Sequence, residues 1–254
     1  MRVISLGSGS SGNALLLETE ETTLLLDVGV PLSTLRERAQ AAGADLRQVN
    51  AILLSHEHQD HMRGLESFLR FHPVRVYLVA LLRGMARDLW ARGVPVTPFL
   101  PGRPFRIREW RVYPFPVPHD ARAPVGFLLQ RDGFRVGWLV DTGHVSARHV
   151  RLMAECDLCI VEANHSRRLL QEGPYPPHLK ARIASPLGHL SNEQTAQFLG
   201  RVLRRRAEAP EIVLAHLSEV NNAPAVARDE IQRTLGRALS LQVLPREAPH
   251  IILD

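Results

Sequence analysis

The chain reads as an α/β protein with sheets lying inside outer helices. Short apolar runs bounded by Gly, Pro and polar turns alternate with segments of helical period along all 254 residues. The mixture of strands and following helices recurs in two halves, and no linker, repeat or composition break separates them, so residues 1–254 are expected to form a single domain. A third feature says where the chemistry sits. Ser55-His56-Glu57-His58-Gln59-Asp60-His61 gathers three histidines and an aspartate directly after the apolar run Ala51–Leu54.

Taken in order, Val3–Leu6 is expected as a strand, followed by the polar turn Gly7–Asn13. Ala14–Glu18 and Thr22–Leu26 read as a hairpin closed near Glu18–Glu21. Pro31–Ala42 has a helical pattern, with Ser33 as its N-cap and Gly43 as its stop. Ala51–Leu54 is a strand, Arg63–Phe71 a helix closed by His72-Pro73, Arg75–Val79 a strand and Leu81–Arg92 a helix ending at Gly93. The middle is strand-rich: Val94–Pro98, Phe105–Ile107, Val112–Val117, Gly126–Gln130 and Arg135–Val140. Ser146–Ala154 is helical and Leu158–Val161 a strand. Pro174, Pro176 and Pro177 mark His165–Pro186 as a loop or irregular helix. Ser191–Arg206 is the clearest helix, with Ser191 and Glu193-Gln194 giving an N-terminal cap signature. Glu211–Leu214 is a strand, Ala223–Leu239 a helix, and Leu241–Leu244 and Ile251–Leu253 are strands.

Composition is that of a globular protein, 45% hydrophobic and 22% charged. Every apolar run is far shorter than a membrane span, and Met1–Leu6 is too short for the apolar core of a signal peptide, so no membrane role and a cytoplasmic location are expected. Cys156 and Cys159 stand among Leu158, Ile160 and Val161 with no second C-x-x-C, which makes them a strand entering the core before a redox pair or half a metal site. The net charge of +5 is carried almost wholly by arginine, with Lys180 the one lysine. Arg201, Arg204, Arg205 and Arg206, and separately Arg167-Arg168, read first as solvated surface and only secondarily as phosphate contacts.

His56 and His58 are two apart in an extended segment, so both side chains can point one way. Asp60 and His61 follow at the start of a helix. Four donors from one turn do not fit around a single ion, so two adjacent divalent ions are expected. More donors stand at strand ends: His119 and Asp120 after Val112–Val117, Asp141 after Arg135–Val140, and His216 after Glu211–Leu214.

In this order, Asp27 in Leu26-Asp27-Val28-Gly29, His56-x-His58-x-Asp60-His61, His119, Asp141 and His216 resemble the metallo-β-lactamase superfold over nearly the whole chain. The resemblance implies a four-layer αββα sandwich with a dinuclear site. Carried over, it makes His56, His58 and His119 the ligands of one ion and Asp60, His61 and His216 those of the other. Asp141 bridges both, and Asp27 orients a ligand imidazole. His58 stands where the di-iron oxygen-reducing branch has a Glu, and His61 completes a second site unlike the β-lactamases proper. Glu162 in Val161-Glu162-Ala163 and His189 in Gly188-His189-Leu190 resemble the acid–histidine pair of the tRNase Z nucleases, which protonates the leaving group.

Gly7–Asn13, Ser55–His61, His119-Asp120-Ala121, Asp141-Thr142-Gly143, Glu162–His165, Gly188–Asn192, and His216-Leu217-Ser218 with Asn221-Asn222 resemble the YycJ (WalJ) family of bacterial metallo-hydrolases. That resemblance implies a 5′-to-3′ DNA exonuclease with two divalent ions, zinc or manganese, acting on DNA with a 5′ phosphate and working with repair proteins. In one departure, His144 stands where tyrosine is commoner. The chain has no room for the insertion of the β-CASP nucleases. The expected reaction is in-line attack of a metal-shared hydroxide on phosphorus, with His189, Glu162 and Asp60 as the catalytic set. Ser10 and Asn13 of the Gly/Ser loop, together with Asn221, are expected beside substrate or ligands. Two rival readings stay open: a small-molecule thioester or lactone hydrolase, and a metal-bound regulatory module without turnover.

Overall fold

The computed structural model describes residues 1–236 and 238–254. Its strands begin with β1 (Arg2–Gly7), β2 (Ala14–Glu18), β3 (Thr23–Leu26), β4 (Val49–Leu53), β5 (Arg75–Val79), β6 (Val96–Phe99) and β7 (Phe105–Ile107). They continue with β8 (Trp110–Pro116), β9 (Val125–Arg131), β10 (Phe134–Leu139), β11 (Leu158–Glu162), β12 (Glu211–Ala215), β13 (Leu241–Val243) and β14 (His250–Leu253). Two mixed seven-stranded sheets result, in the orders β14-β1-β2-β3-β4-β5-β6 and β13-β12-β11-β10-β9-β8-β7. The first is antiparallel from β14 to β3 and parallel from β3 to β6. In the second, β9 and β10 run antiparallel and β10 to β13 parallel.

The chain divides into two compact units, one of residues 1–114, 121–125 and 244–254, the other of residues 115–120 and 126–243. The first unit carries α1 (Leu32–Ala41), α2 (Gln59–Met62), α3 (Leu65–Phe71) and α4 (Arg83–Ala91). Ile4, Leu6, Leu16, Leu25, Ile52, Val76 and Leu78 from one sheet face form a core with Leu35 and Ala39 of α1, Leu65, Phe68 and Leu69 of α3, and Ala86 and Leu89 of α4. The alternate residues Val3, Leu15, Leu17, Leu24 and Leu26 are buried too. These strands therefore read as continuous apolar runs, the signature of a sheet covered on both faces.

The second unit carries α5 (Ala147–Met153), α6 (Arg167–Glu172), α7 (Pro177–Ile183), α8 (Asn192–Leu203) and α9 (Pro224–Leu235). Ser191 caps α8 in a reciprocal box with Gln194, and the helix buries Ala196, Phe198, Leu199 and Val202. Cys156 and Cys159 are both free and buried, as the core reading expects. No helix of the described residues is long and apolar enough to cross a membrane.

Several element boundaries differ from expectation. Ser33 lies inside α1, whose N-cap is Pro31 without a side-chain cap. The expected helix Arg63–Phe71 is α3, which starts at Leu65, and a separate short helix, α2, precedes it; at Gly64, between the two, a Cβ would lie 2.1 Å from the Val30 carbonyl oxygen. Residues 165–186, expected as a long loop or a loop with an irregular helix, hold two short helices, α6 and α7. Pro177 occupies the first turn of α7, where the missing N–H costs nothing. The last long helix stops at Leu235 because Gly236 turns left-handed at φ 65°. Arg237, inside the expected helix, lies outside the described residues.

Candidate metal centre

In the first unit the HxHxDH stretch follows β4, and α2 starts within it, after His58. The segment after β3 holds this turn in place. Val28 N–H donates to the His61 carbonyl, Gly64 N–H to the Val28 carbonyl and Gly29 N–H to the Asn13 carbonyl. Gly29 is required there, since a Cβ would stand 1.7 Å from the Asp60 carbonyl oxygen. Asp27 adopts φ 60° and is wholly buried. Its Oδ2 meets His61 Nδ1 at 2.7 Å and accepts from Ser55 Oγ at 2.8 Å, while Oδ1 accepts from Ser55 N–H at 2.8 Å. Ser55 Oγ also lies 3.0 Å from His56 Nδ1. The His56 ring sits 4.8 Å from His58 and 4.1 Å from His61, centroid to centroid. Asp60 Oδ2 is 3.6 Å from His61 Nε2.

The second unit gathers His119, Asp141, Glu162, His189 and His216. Asp141 and His216 follow the ends of β10 and β12, and both are left-handed, at φ 53° and 57°. Such backbone costs about 1–2 kcal/mol for a residue with a Cβ. Its occurrence at Asp27, Asp141 and His216 marks positions where side-chain direction outweighs local comfort. Asp141 Oδ1 lies 3.3 Å from His216 Nε2, 3.5 Å from His189 Nδ1 and 3.9 Å from His119 Nε2. Glu162 is fully buried. Its Oε1 meets His189 Nδ1 at 2.6 Å and His216 Nδ1 at 3.3 Å, and its Oε2 accepts from Thr142 N–H at 3.0 Å and Leu190 N–H at 3.3 Å. Burial by itself would raise this carboxyl, but the His189 and His216 imidazoles outweigh it and hold the group down to about 2. Burial lowers His119 below the usual histidine range against the pull of Asp141.

The donor chemistry fits divalent ions. In His56, His61, His119 and His216, Nδ1 faces an oxygen: Ser55 Oγ, Asp27 Oδ2, the Gly188 carbonyl at 3.2 Å and Glu162 Oε1, respectively. An oxygen on Nδ1 fixes the tautomer that presents Nε2 as a neutral donor. His216 Nε2 at 3.3 Å from Asp141 Oδ1 matches the edge of a coordination polyhedron, and His61 Nε2 at 3.6 Å from Asp60 and His119 Nε2 at 3.9 Å from Asp141 stand somewhat wider. Metal–ligand bonds near 2.0–2.1 Å give tetrahedral edges of about 3.3 Å. Asp141, Glu162, His189 and His216 also lie close enough to hold an ion as a foursome. Glu162 is instead occupied by imidazole and backbone N–H donors, so it braces histidines.

The remaining expected residues are placed as follows. Asn13 is buried, its Nδ2 lying 3.0 Å from His61 Nε2 and donating to the Asp60 carbonyl at 3.2 Å. Ser10 is exposed at the tip of the Gly/Ser turn. Asn221 is buried in a turn, bonded to Ser218 Oγ through its N–H and Nδ2, with its carbonyl taking the Ser166 N–H. It is used in turn structure. Arg167 and Arg168 are paired with Glu193 and Glu172, and Arg206 with backbone carbonyls and Asp157. Ser55, Gly29, Thr142 and Asn164 were not singled out from the sequence. Asn164 Nδ2 donates to the His216 carbonyl at 3.1 Å, bracing that left-handed residue.

A family model described as "Beta-lactamase superfamily domain" matches residues 22–217. The chain is 33% identical over 237 residues to "Exodeoxyribonuclease WalJ" of Streptococcus pneumoniae, covering 92% of this chain and 87% of that protein. It is 31% identical over 233 residues to "Exodeoxyribonuclease YycJ" of Bacillus anthracis, covering 91% and 87%. Among solved structures, the metallo-β-lactamase fold protein YhfI of Bacillus subtilis superposes with a TM-score of 0.77 at 15% identity, covering 98% of each chain. That likeness establishes the fold class expected from the sequence. The family match, the two relatives and the His/Asp donor sets together make the chain a hydrolase of the metallo-β-lactamase superfamily, in the family of the WalJ and YycJ exodeoxyribonucleases.

Proposed function

We propose that the protein is a metal-dependent phosphodiesterase, a 5′-to-3′ exonuclease acting on DNA with a 5′ phosphate, and that residues 1–254 work as one hydrolase domain. In this reading the protein would hold two divalent ions. His56, His58 and His119 would hold one ion, Asp60, His61 and His216 the other, and Asp141 would serve both. Zinc and manganese both suit such a set of imidazoles and carboxylates. The reading includes a cytoplasmic location and repair proteins as partners.

The observation that carries it is the 2.6 Å contact between His189 Nδ1 and the buried Glu162 carboxylate. A hydrolase acting on an activated ester has little need of a proton donor, whereas a phosphodiester expels a poor alkoxide. Bound divalent ions would supply Lewis acidity towards phosphate oxygens and an acidified water. The chain's own part is the proton. Glu162 accepts from His189 Nδ1 and orients the imidazole, and Nε2 hands its proton to the oxygen leaving phosphorus.

The test is hydrolysis of 5′-phosphorylated single- and double-stranded DNA and RNA with the metal varied. Cleavage of thioesters or lactones with none of DNA would replace this reading by the small-molecule one. Asp141→Asn is expected to abolish turnover and lower metal content, and full metal with full rate would show the ligand assignment to be wrong. His189→Ala is expected to retain both ions while slowing hydrolysis about 100-fold or more, most for poor leaving groups. Loss of metal instead would make His189 a ligand.

A further inference from the structure

One loop of the second unit, residues 183–189, touches two histidines and supplies a third. Gly188 carbonyl faces His119 Nδ1 at 3.2 Å, Pro186 carbonyl faces His144 Nδ1 at 3.2 Å, and the loop itself delivers His189. The loop is stiff. His189 N–H donates to the Ile183 carbonyl at 2.9 Å and Gly188 N–H to the Ser185 carbonyl at 2.9 Å. It packs backbone to backbone on the 141–144 turn, where a Cβ on Gly143 would come within 2.3 Å of the Pro186 carbonyl. That turn is fixed in its own right, with Thr142 Oγ1 donating to the His144 carbonyl at 2.8 Å and Gly143 N–H to the Pro118 carbonyl at 2.8 Å.

At the outer end of this assembly stand two side chains that neither the core nor the metal donors use. His144 is exposed, its ring anchored at one nitrogen to the loop. Leu187 is 52% exposed, two residues before His189. An anchored flat ring beside an exposed apolar side chain, on rigid backbone next to the proton donor, is a surface for an unstacked nucleobase. Imidazole rings and apolar side chains serve as such platforms in single-strand recognition because every base presents a π-face.

We infer that His144 and Leu187 form the platform on which the base of the nucleotide adjoining the scissile phosphate stacks, so that the enzyme works on a terminal nucleotide whose base has left the helix. The inference rests on the phosphodiesterase reading above and specifies its substrate: a strand end that is single-stranded or frayed. The platform is sequence-tolerant, since stacking does not read hydrogen-bonding edges.

The test measures kcat/KM on two 5′-phosphorylated single strands, one with an ordinary 5′-terminal nucleotide and one in which that nucleotide is an abasic tetrahydrofuran. The wild-type protein is expected to prefer the strand with the base. His144→Ala is expected to lower kcat/KM on that strand about tenfold, to leave the abasic strand unchanged, and to keep full metal content. Leu187→Ala is expected to act in the same direction, and His144→Phe to restore the preference. Equal losses on both strands, or no loss on either, would overturn the platform while leaving the nuclease reading intact. A wild-type protein that cleaves neither strand with any metal would overturn the nuclease reading, and the platform with it.

Discussion

Asp27 shows how much of the centre is decided by a side chain that need not touch an ion. Its oxygens are occupied by His61 Nδ1, Ser55 Oγ and Ser55 N–H, all between 2.7 and 2.8 Å, and it is wholly buried at φ 60°. An amide in its place still accepts at one atom but presents N–H to Nδ1 or to the serine, so the His61 tautomer loses its brace. Asp27→Asn is therefore expected to leave the protein folded while weakening metal binding about 10- to 100-fold, the usual cost of removing a carboxylate behind a ligating histidine. Competition with a chelator measures it, and unchanged affinity would remove Asp27 from the centre. These candidate positions were legible because each stands directly after an apolar run: Asp27 after Leu26, Asp141 after Val140, His216 after Ala215. Their braces were not. The Gly188 carbonyl on His119 is backbone and carries no signature in the residue type, and Ser55 reads as an ordinary polar residue ending a strand.

At the scale of elements, the segment after β3 and the turn that opens α2 act as one piece. Backbone bonds join Val28 to His61, Gly29 to Asn13, Asn13 to Asp60 and Gly64 to Val28. Gly29 sits at the closest approach, where a methyl group would overlap the Asp60 carbonyl. Backbone cannot move aside as a flexible side chain can, so Gly29→Ala must push the 58–64 turn away from β3. A loss of about 3 kcal/mol or more is expected, at the upper end of overpacking costs, with metal content falling too because Asp60 and His61 ride on that turn. Calorimetry beside metal analysis checks both, and a variant with wild-type melting and metal would show that the approach is looser than drawn. The same contacts explain why elements were legible and some boundaries were not. Strand and helix periods survive in the sequence, as at β2 and β3, whose expected hairpin matches within one residue. The break between α2 and α3 depends on Gly64 fitting against Val30, and α6 and α7 form where three prolines suggested a loop, one proline simply filling a first turn. Both depend on tertiary fit or on a position within the helix, which residue type alone does not reveal.

For the whole molecule, the buried histidines outside the donor sets contribute to the response to acid. His165 is held at about 4, first by burial and then by the balance of Glu162 and Glu230 against His189 and Arg167. His149 is lowered as well, chiefly by burial, with its Nε2 bonded to the Pro116 carbonyl. The unfolded chain protonates these rings near 6.5. Below that pH the unfolded state binds protons that the native state refuses, so unfolding becomes easier as pH falls from about 6.5 to 4 and levels off beneath it. For His165 alone the full shift corresponds to about 3 kcal/mol. The contribution of His165 is isolated by difference. Urea unfolding of the metal-stripped protein and of its His165→Asn variant, followed from pH 7.5 to 4.5, is expected to show the wild type losing about 2–3 kcal/mol more than the variant across that window. Parallel pH dependences would mean that His165 is protonated as readily in the fold as out of it.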